Sequence, residues 1–543
     1  MKLLSFLAAA AAASTTVYGA VQKVTRAGRY MYTADGNRFY VKGIAYQTQG
    51  QIVSGPDNPL NQPSTFVDQL ADSAGCARDL PFLQQLGVNA IRAYSVDSTL
   101  NHDSCMAALS GAGIYVILDL TLPLNGSIDT TLPTWSTNLL DLYIDTINVF
   151  SKYDNVLAYN VGNEVLTNGA TNAAPFIKAA ARDIKAYLAS IGSSALVGYA
   201  DIDGAAAFPR RRLRLPQLRS DEWCGDAATS TYDNLNSEFE NYNVVAYFSE
   251  FGSENCDPGV RPWTEVGTLF ASPMTNIWSG GLAFSYFNAS SAGHQFGMAT
   301  LSADNTTVTT NQDFANLQSQ YKSVTFVNTP TQSAAAQSTY GACPQPDANL
   351  EASTTLPPTP NDSACACLTE HLGCLFKMPA NGDYTALVGT LTGVVCGELL
   401  PGVGGSCNDI ATNGTTGTYG VVSSCDPVTR LSYAFSQYYD LTSRAATSCD
   451  FSGNATTNSV IGNVLAPSAA VSTCLPSPSA VFTPSAPSGA SAAASASGSS
   501  GSGSNGNGSG GGKTGGAVEV RVGAGMLMTL VAGVLGGVAF TLL

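Results

Sequence analysis

The chain is poor in histidine, in basic charge and in long internal apolar runs. Its three histidines, His102, His294 and His371, are scattered along 543 residues, so no histidine metal centre and no other cofactor is expected. Lysine and arginine number 24 against 39 aspartates and glutamates, a formal net charge of −15. That balance disfavours nucleic acid as a partner and suits a neutral polymer substrate in an acidic extracellular setting. With 44% hydrophobic residues and no very long apolar run in its interior, the chain can bury one core of about 250 to 300 residues and a smaller second domain.

The two ends read as addresses rather than fold. Lys2, the apolar stretch Leu3 to Ala13 and small residues near Gly19 and Ala20 make a secretory signal over residues 1–20. Ser485 to Gly516 is almost wholly serine, alanine and glycine, and Val522 to Leu543 is apolar to the last residue. Small residues, a polar spacer and an apolar tail are the pattern of a glycosylphosphatidylinositol (GPI) signal. Attachment is expected between Asn507 and Gly512, with Asn507 and Gly510 as candidates, and 517–543 as the removed tail. The alternative is a membrane span, which the absence of Lys or Arg after Leu543 disfavours.

Cysteine usage agrees with export. Eight of 13 cysteines (Cys365, Cys367, Cys374, Cys396, Cys407, Cys425, Cys449 and Cys474) crowd into one stretch, too dense for a reduced compartment and suited to a small cross-linked module over 363–475. Each bridge would contribute about 2 to 4 kcal/mol by restricting the unfolded chain. A zinc site at Cys365-Ala-Cys367 is disfavoured by its spacing and the lack of a histidine cluster. Sequons at Asn125, Asn288, Asn305, Asn361, Asn413 and Asn454 also fit secretion.

Strand-like apolar runs occur at Tyr40–Tyr46, Val88–Tyr94, Ile114–Leu120, Val156–Val161, Ala195–Ala200, Val244–Ser249 and Leu282–Phe287, with helical stretches such as Ala174–Ile191 between them. These are seven strands where a closed (β/α)8 TIM-type barrel needs eight, so the sixth is in doubt. In its place stands Phe208 to Arg219, with five basic residues within ten positions. The barrel is expected over 21–330, a linker over 331–362, and a second linker, carrying the anchor region, over 476–516. Glu164 and Glu250 each follow one of the runs, where a barrel puts its chemistry. Two such carboxylates suit a retaining sugar-cleaving enzyme, one as acid/base and one as nucleophile.

Lys42-Gly-Ile-Ala-Tyr-Gln47, Ile91-Arg-Ala-Tyr94, Tyr159-Asn-Val-Gly-Asn-Glu164, Glu222-Trp-Cys-Gly225, Phe248-Ser-Glu-Phe-Gly252 and Trp278-Ser-Gly-Gly-Leu282 through Tyr286 resemble the β-1,3-glucanosyltransferases of glycoside hydrolase family 72. The cysteine-rich region resembles the family 43 carbohydrate-binding module. The resemblance implies a fungal, GPI-anchored remodeller of wall β-1,3-glucan at the cell surface, monomeric, with glucan donor and acceptor chains as its partners. It implies Glu164 as general acid/base and Glu250 as nucleophile, with Gln47, Tyr94, Asp119, Asn163 and Tyr286 lining the cleft. Asn163 would meet the sugar 2-hydroxyl, and the tyrosines would hold or stack on rings. It also implies the bridges Cys76–Cys105 and Cys224–Cys256.

Cys343 is then left over, and the tyrosine expected before Glu222 is replaced by Asp221. A mistranslated or misspliced insert over Ala205–Asp221 would account for the missing strand, cysteine and tyrosine together; the rival reading is a basic loop that binds an acidic wall polymer. Two other functions compete with transfer. One is plain β-1,3-glucan hydrolysis; the other is non-catalytic glucan binding through Tyr433, Phe435, Tyr438 and Tyr439, which serve equally as a small core.

Overall fold

The computed structural model describes residues 21–51, 63–123, 126–166, 171–201, 218–220, 232–252, 260–291, 294–335, 345–347, 350–379, 384–458 and 463–487. Its centre is a parallel sheet of eight strands: β1 (Val41–Ala45), β2 (Ala90–Ala93), β3 (Tyr115–Asp119), β4 (Val156–Asn163), β5 (Leu196–Ala200), β6 (Leu218–Ser220), β7 (Ala246–Phe251) and β8 (Trp278–Ala283). They neighbour one another in the order β5-β4-β3-β2-β1-β8-β7-β6. Closing β1 onto β8 through Val41 to Gly280 and its following pairs is what curls the sheet into a barrel.

The strands are buried on both sides, and their two faces go to different cores. Ile117, Tyr247 and Leu282 cluster with Met31 and Phe39 of a small three-stranded antiparallel sheet at the N-terminal side. Ile44, Ile91, Val116 and Leu118 point the other way, against Leu83, Leu109 and Ile144 of the surrounding helices. This explains why the strands read as continuous apolar runs rather than alternating ones. The helices are α1 (Ser73–Leu86), α2 (Asp103–Gly111), α3 (Thr137–Phe150), α4 (Ala174–Ser190), α5 (Tyr232–Phe239), α6 (Glu265–Leu269) and α7 (Gln312–Ser323). Asp72 caps the start of α1, accepting the Gly75 N–H at 3.0 Å, and Gly87 ends it in the left-handed region at φ 69°. The Cys76–Cys105 bridge forms, tying α1 to α2.

Two sequence expectations need correction. The segment that did not read as a strand supplies β6, three residues long, paired with β7 through Leu218 to Phe248. Among the described residues β6 has no pairing to β5, so the barrel is nearly rather than fully closed. The last strand lies at Trp278–Ala283, earlier than the apolar run Leu282–Phe287 suggested. A side chain on Gly280 would lie 2.2 Å from the Val41 carbonyl oxygen, so close strand packing requires glycine there. The signal segment, Cys224, Cys256, Cys343, Asn125, Asn507, Gly510 and all of Ala205–Asp221 except 218–220 lie outside the described residues.

The second unit is helical, with a core of Leu368, Val395, Leu431 and Phe435. Its cysteines pair as Cys365–Cys425, Cys367–Cys474, Cys374–Cys449 and Cys396–Cys407. Thr385–Gly402 is long and apolar enough to cross a membrane, but it holds Val388, Val395 and Leu400 in the module core and carries Cys396, so it belongs to the module. The two units are docked rather than strung on a loose joint. Leu350 and Ala352 lie in the barrel core, Arg182 donates to the Pro357 carbonyl at 2.9 Å, and the Thr359 hydroxyl donates to Asp183 at 2.8 Å. Past the module, the Ala480 carbonyl accepts the Thr359 N–H at 3.1 Å, so the chain after 475 returns to the same joint.

Candidate active site

The barrel's polar centre is built around a buried arginine. Arg92 on β2 is wholly shielded from solvent, and a guanidinium there requires anionic or carbonyl partners. It donates to Asp119 at the end of β3 through Nη2 at 2.6 Å and Nε at 3.2 Å, to Asn163 Oδ1 at 2.7 Å, and to Glu250 Oε1 at 3.1 Å. One planar cation thus joins the carboxyl ends of β3, β4 and β7. Burial alone would lower the Arg92 pKa, but Asp119, then Tyr94 and last Glu250, carry it above the usual arginine value, so it stays charged. Asn160 adds a third hydrogen bond to Asp119 at 2.6 Å.

Glu250 lies within β7, not after it, and is 3% exposed. Its Oε1 accepts from Arg92 and from the Tyr94 hydroxyl, the latter at 2.8 Å. Burial, and then the Glu250 charge, push the Tyr94 phenol well above its ordinary value, so it remains a donor. Two donors on one oxygen fix the direction of the carboxyl group.

Glu164 stands one residue beyond β4, buried, with its N–H on the Ala200 carbonyl at 2.9 Å. Its φ of 52° is left-handed, an uncommon and strained setting for a residue with a side chain. Because Asn163 precedes it and shares Arg92 with Glu250, the two glutamates belong to one end of the barrel.

The remaining expected cleft residues divide. Asn163 is half-buried, and its Oδ1 is committed to Arg92, which sets the orientation of the amide. Asp119 is 1% exposed and lies behind Arg92 rather than on the cleft surface. Gln47 spends both ends of its amide on the protein, accepting from the Tyr94 and Ser95 N–H groups and donating to the Val67 carbonyl. Tyr286 is fully buried, and its hydroxyl donates to Asp79 at 3.2 Å beside Tyr46, which donates at 2.8 Å. Asp119 and Tyr286, both buried, therefore stand in the wall behind the site, whereas Gln47 is only partly buried. Arg92 stood inside the quoted Ile91–Tyr94 motif without an assigned role; the signal was a charged residue inside an apolar strand.

Cys367, His371 and Cys474 cluster, but their two sulfurs are bonded to each other, leaving an imidazole beside a disulfide rather than a metal donor set. In the module, Tyr433 and Phe435 are core residues, Tyr433 donating to Asp409 at 2.8 Å, whereas Tyr438 and Tyr439 are only partly buried.

Comparison with known proteins agrees with this geometry. The Glucanosyltransferase family matches residues 13–325 and the X8 domain matches 372–456. The chain is 37% identical over 452 residues to the 1,3-beta-glucanosyltransferase gas1 of Schizosaccharomyces pombe, covering 79% of this chain and 77% of that protein. It is 35% identical over 433 residues to the 1,3-beta-glucanosyltransferase GAS2 of Saccharomyces cerevisiae, covering 76% and 75%. The structure of Saccharomyces cerevisiae Gas2p in complex with laminaripentaose superposes with a TM-score of 0.71 at 32% identity, covering 81% of this chain and 98% of that one. A mutant of Gas2p with laminaritetraose and laminaripentaose gives 0.71 at 31%, covering 84% and 98%. The chain belongs to the glucanosyltransferase family, glycoside hydrolase family 72, with an X8 module after its barrel.

Proposed function

We infer that this chain is a retaining 1,3-β-glucanosyltransferase in which Glu250 is the nucleophile and Glu164 the acid/base. Glu250 attacks the anomeric carbon while Glu164 protonates the departing glycosidic oxygen, leaving a glycosyl ester on Glu250. A hydroxyl of a second glucan chain, deprotonated by Glu164, then displaces Glu250. One glycosidic bond is broken and one formed, with no net consumption of water. The observation that carries the reading is the pair of donors, Arg92 and Tyr94, on one oxygen of Glu250, which keep that carboxyl group aimed. Transfer prevails over hydrolysis when an oriented acceptor hydroxyl outcompetes water through effective molarity.

Incubation with a laminari-oligosaccharide should yield products both longer and shorter than the substrate. Glu164→Gln and Glu250→Gln should abolish both while glucan binding by the module persists. Only shorter products would mark a hydrolase, and unchanged product profiles in both variants would leave glucan binding as the function. The inferred setting is the outer face of a fungal plasma membrane, held by a GPI anchor near Asn507 to Gly512 and extending into the wall, with the protein acting as a monomer. Release of intact protein from cells by a phosphatidylinositol-specific phospholipase is the expected outcome; protein that stays in the membrane after treatment would mark a spanning tail instead.

A further inference from the structure

The loops that follow β1 and β2 are closed on each other by a ring of hydrogen bonds outside the reacting groups. Gln47 accepts the N–H groups of Tyr94 at 3.0 Å and Ser95 at 3.2 Å, and its own amide donates to the Val67 carbonyl. Asp68, the next residue, accepts the Asp97 N–H at 2.7 Å and His102 Nε2 at 2.8 Å on one oxygen. Its other oxygen accepts the N–H groups of Leu70 at 2.9 Å and Ala71 at 3.2 Å. The backbone from Tyr94 to Asp97 is therefore gripped at both ends, by Gln47 and by Asp68, and Val67 links the two grips.

His102 completes the ring at a cost. It is 1% exposed, lies 4.5 Å from the Phe150 ring, and its Nδ1 has no hydrogen-bond partner among the described residues. A phenyl group would fill the same space without an unpaired nitrogen. What the imidazole supplies is a donor for the otherwise buried Asp68 carboxylate.

We propose that Asp68 and His102 form a positioning pair for the nucleophile: by fixing the Tyr94–Asp97 backbone they hold the Tyr94 hydroxyl on Glu250 and keep that carboxylate aimed at the anomeric carbon. Both are buried, so they act through Tyr94 and not on the sugar. The proposal rests on Glu250 being the nucleophile. A hydroxyl-to-carboxylate contact of 2.8 Å tolerates little drift before the attack angle is lost, so loosening these loops should slow the chemical step more than it weakens binding.

The test uses the full chain and four variants: Asp68→Asn, His102→Leu, His102→Gln and Glu250→Gln. Asparagine retains a helix-capping oxygen, and glutamine retains a donor N–H where leucine has none. Active sites are counted by stoichiometric labelling with a 2-fluoro-substituted laminari-oligosaccharide inactivator, so that partial misfolding does not pass for slow catalysis. Asp68→Asn and His102→Leu should lower kcat per active site about tenfold or more with KM within about twofold, and His102→Gln should recover most of the rate. Wild-type kcat per active site in Asp68→Asn and His102→Leu overturns the proposal, whatever the yield of folded protein. So does a rise in KM alone, which would place the pair in substrate binding. If the wild-type chain neither cleaves nor transfers, the nucleophile assignment fails and the proposal falls with it. An active wild type beside an inactive Glu250→Gln confines any negative result to the pair.

Discussion

Arg92 is the residue on which most of the site's geometry depends. Its buried side chain pairs with both Asp119 and Glu250, and it holds Asn163 beside them. Arg92→Met should destabilise the protein by about 3 to 5 kcal/mol, because two carboxylates would lose their buried cation, and should abolish transfer. Chemical denaturation with transfer assays checks both, and a loss of activity at unchanged stability would show that the surrounding carboxylates find other partners. Glu164, Glu250 and Asn163 could be singled out from the sequence because their motifs are local. The buried positions of Asp119 and Tyr286 could not, since each depends on which side chain takes its hydrogen bond. Arg92 and Glu250 are 158 positions apart, and no periodicity in the chain reports such a meeting.

At the scale of elements, the strands that were easiest to read are those buried on both faces, such as β3, whose five residues are all buried. Those misread are the ones whose residues serve packing against type. β8 contains Gly280 at φ 81°, with space for no side chain: an added Cβ would sit 2.2 Å from the Val41 carbonyl oxygen and 2.7 Å from the Phe270 ring. Gly280→Ala should therefore cost about 2 to 4 kcal/mol, combining a left-handed backbone with overpacking. The shift in guanidinium midpoint measures it; a change below about 0.5 kcal/mol would mean that β1 and β8 can part without loss. β6 escaped notice for a different reason. Three residues carry too little pattern to stand out, and it becomes a strand because the β7 backbone is there to pair with it.

Across the whole molecule, the barrel and the X8 module share an interface of polar and aromatic contacts. The Thr137 N–H donates to the Ser424 carbonyl at 2.9 Å, the Thr412 hydroxyl donates to the Pro133 carbonyl at 3.1 Å, and the Tyr419 ring meets Phe176 edge-on at 5.6 Å. At its edge, Asp141 on α3 faces Asp362 of the module, with Asp145 and Asp426 nearby. Burial first, and then the hydrogen bond and charge of Asp362, push the Asp141 carboxyl up to about 8 from an ordinary 3.8. Over that interval the unfolded chain holds fewer protons than the folded one. The stability from the shared proton is thus whole below pH 3.8 and is lost as pH rises through about 8. Asp141→Asn should remove that loss, so that the Tm of the variant falls less than that of wild type between mildly acidic and mildly alkaline pH. Parallel Tm profiles for the two proteins would rule out the shared proton.

The sequence by itself determined the family, the division into barrel and cysteine-rich module, and the two strand-end glutamates proposed as the reacting pair. All of these are written in contiguous motifs and in the spacing of apolar runs and cysteines, which the chain carries whether or not it is folded. Only the tertiary structure decided that the joint packs into the barrel core, that β6 exists, how the module cysteines pair, and that Asp119 and Tyr286 are buried behind the site. These depend on which distant backbone or side-chain group satisfies a buried donor, acceptor or charge, and that choice is made when the strands close into a barrel.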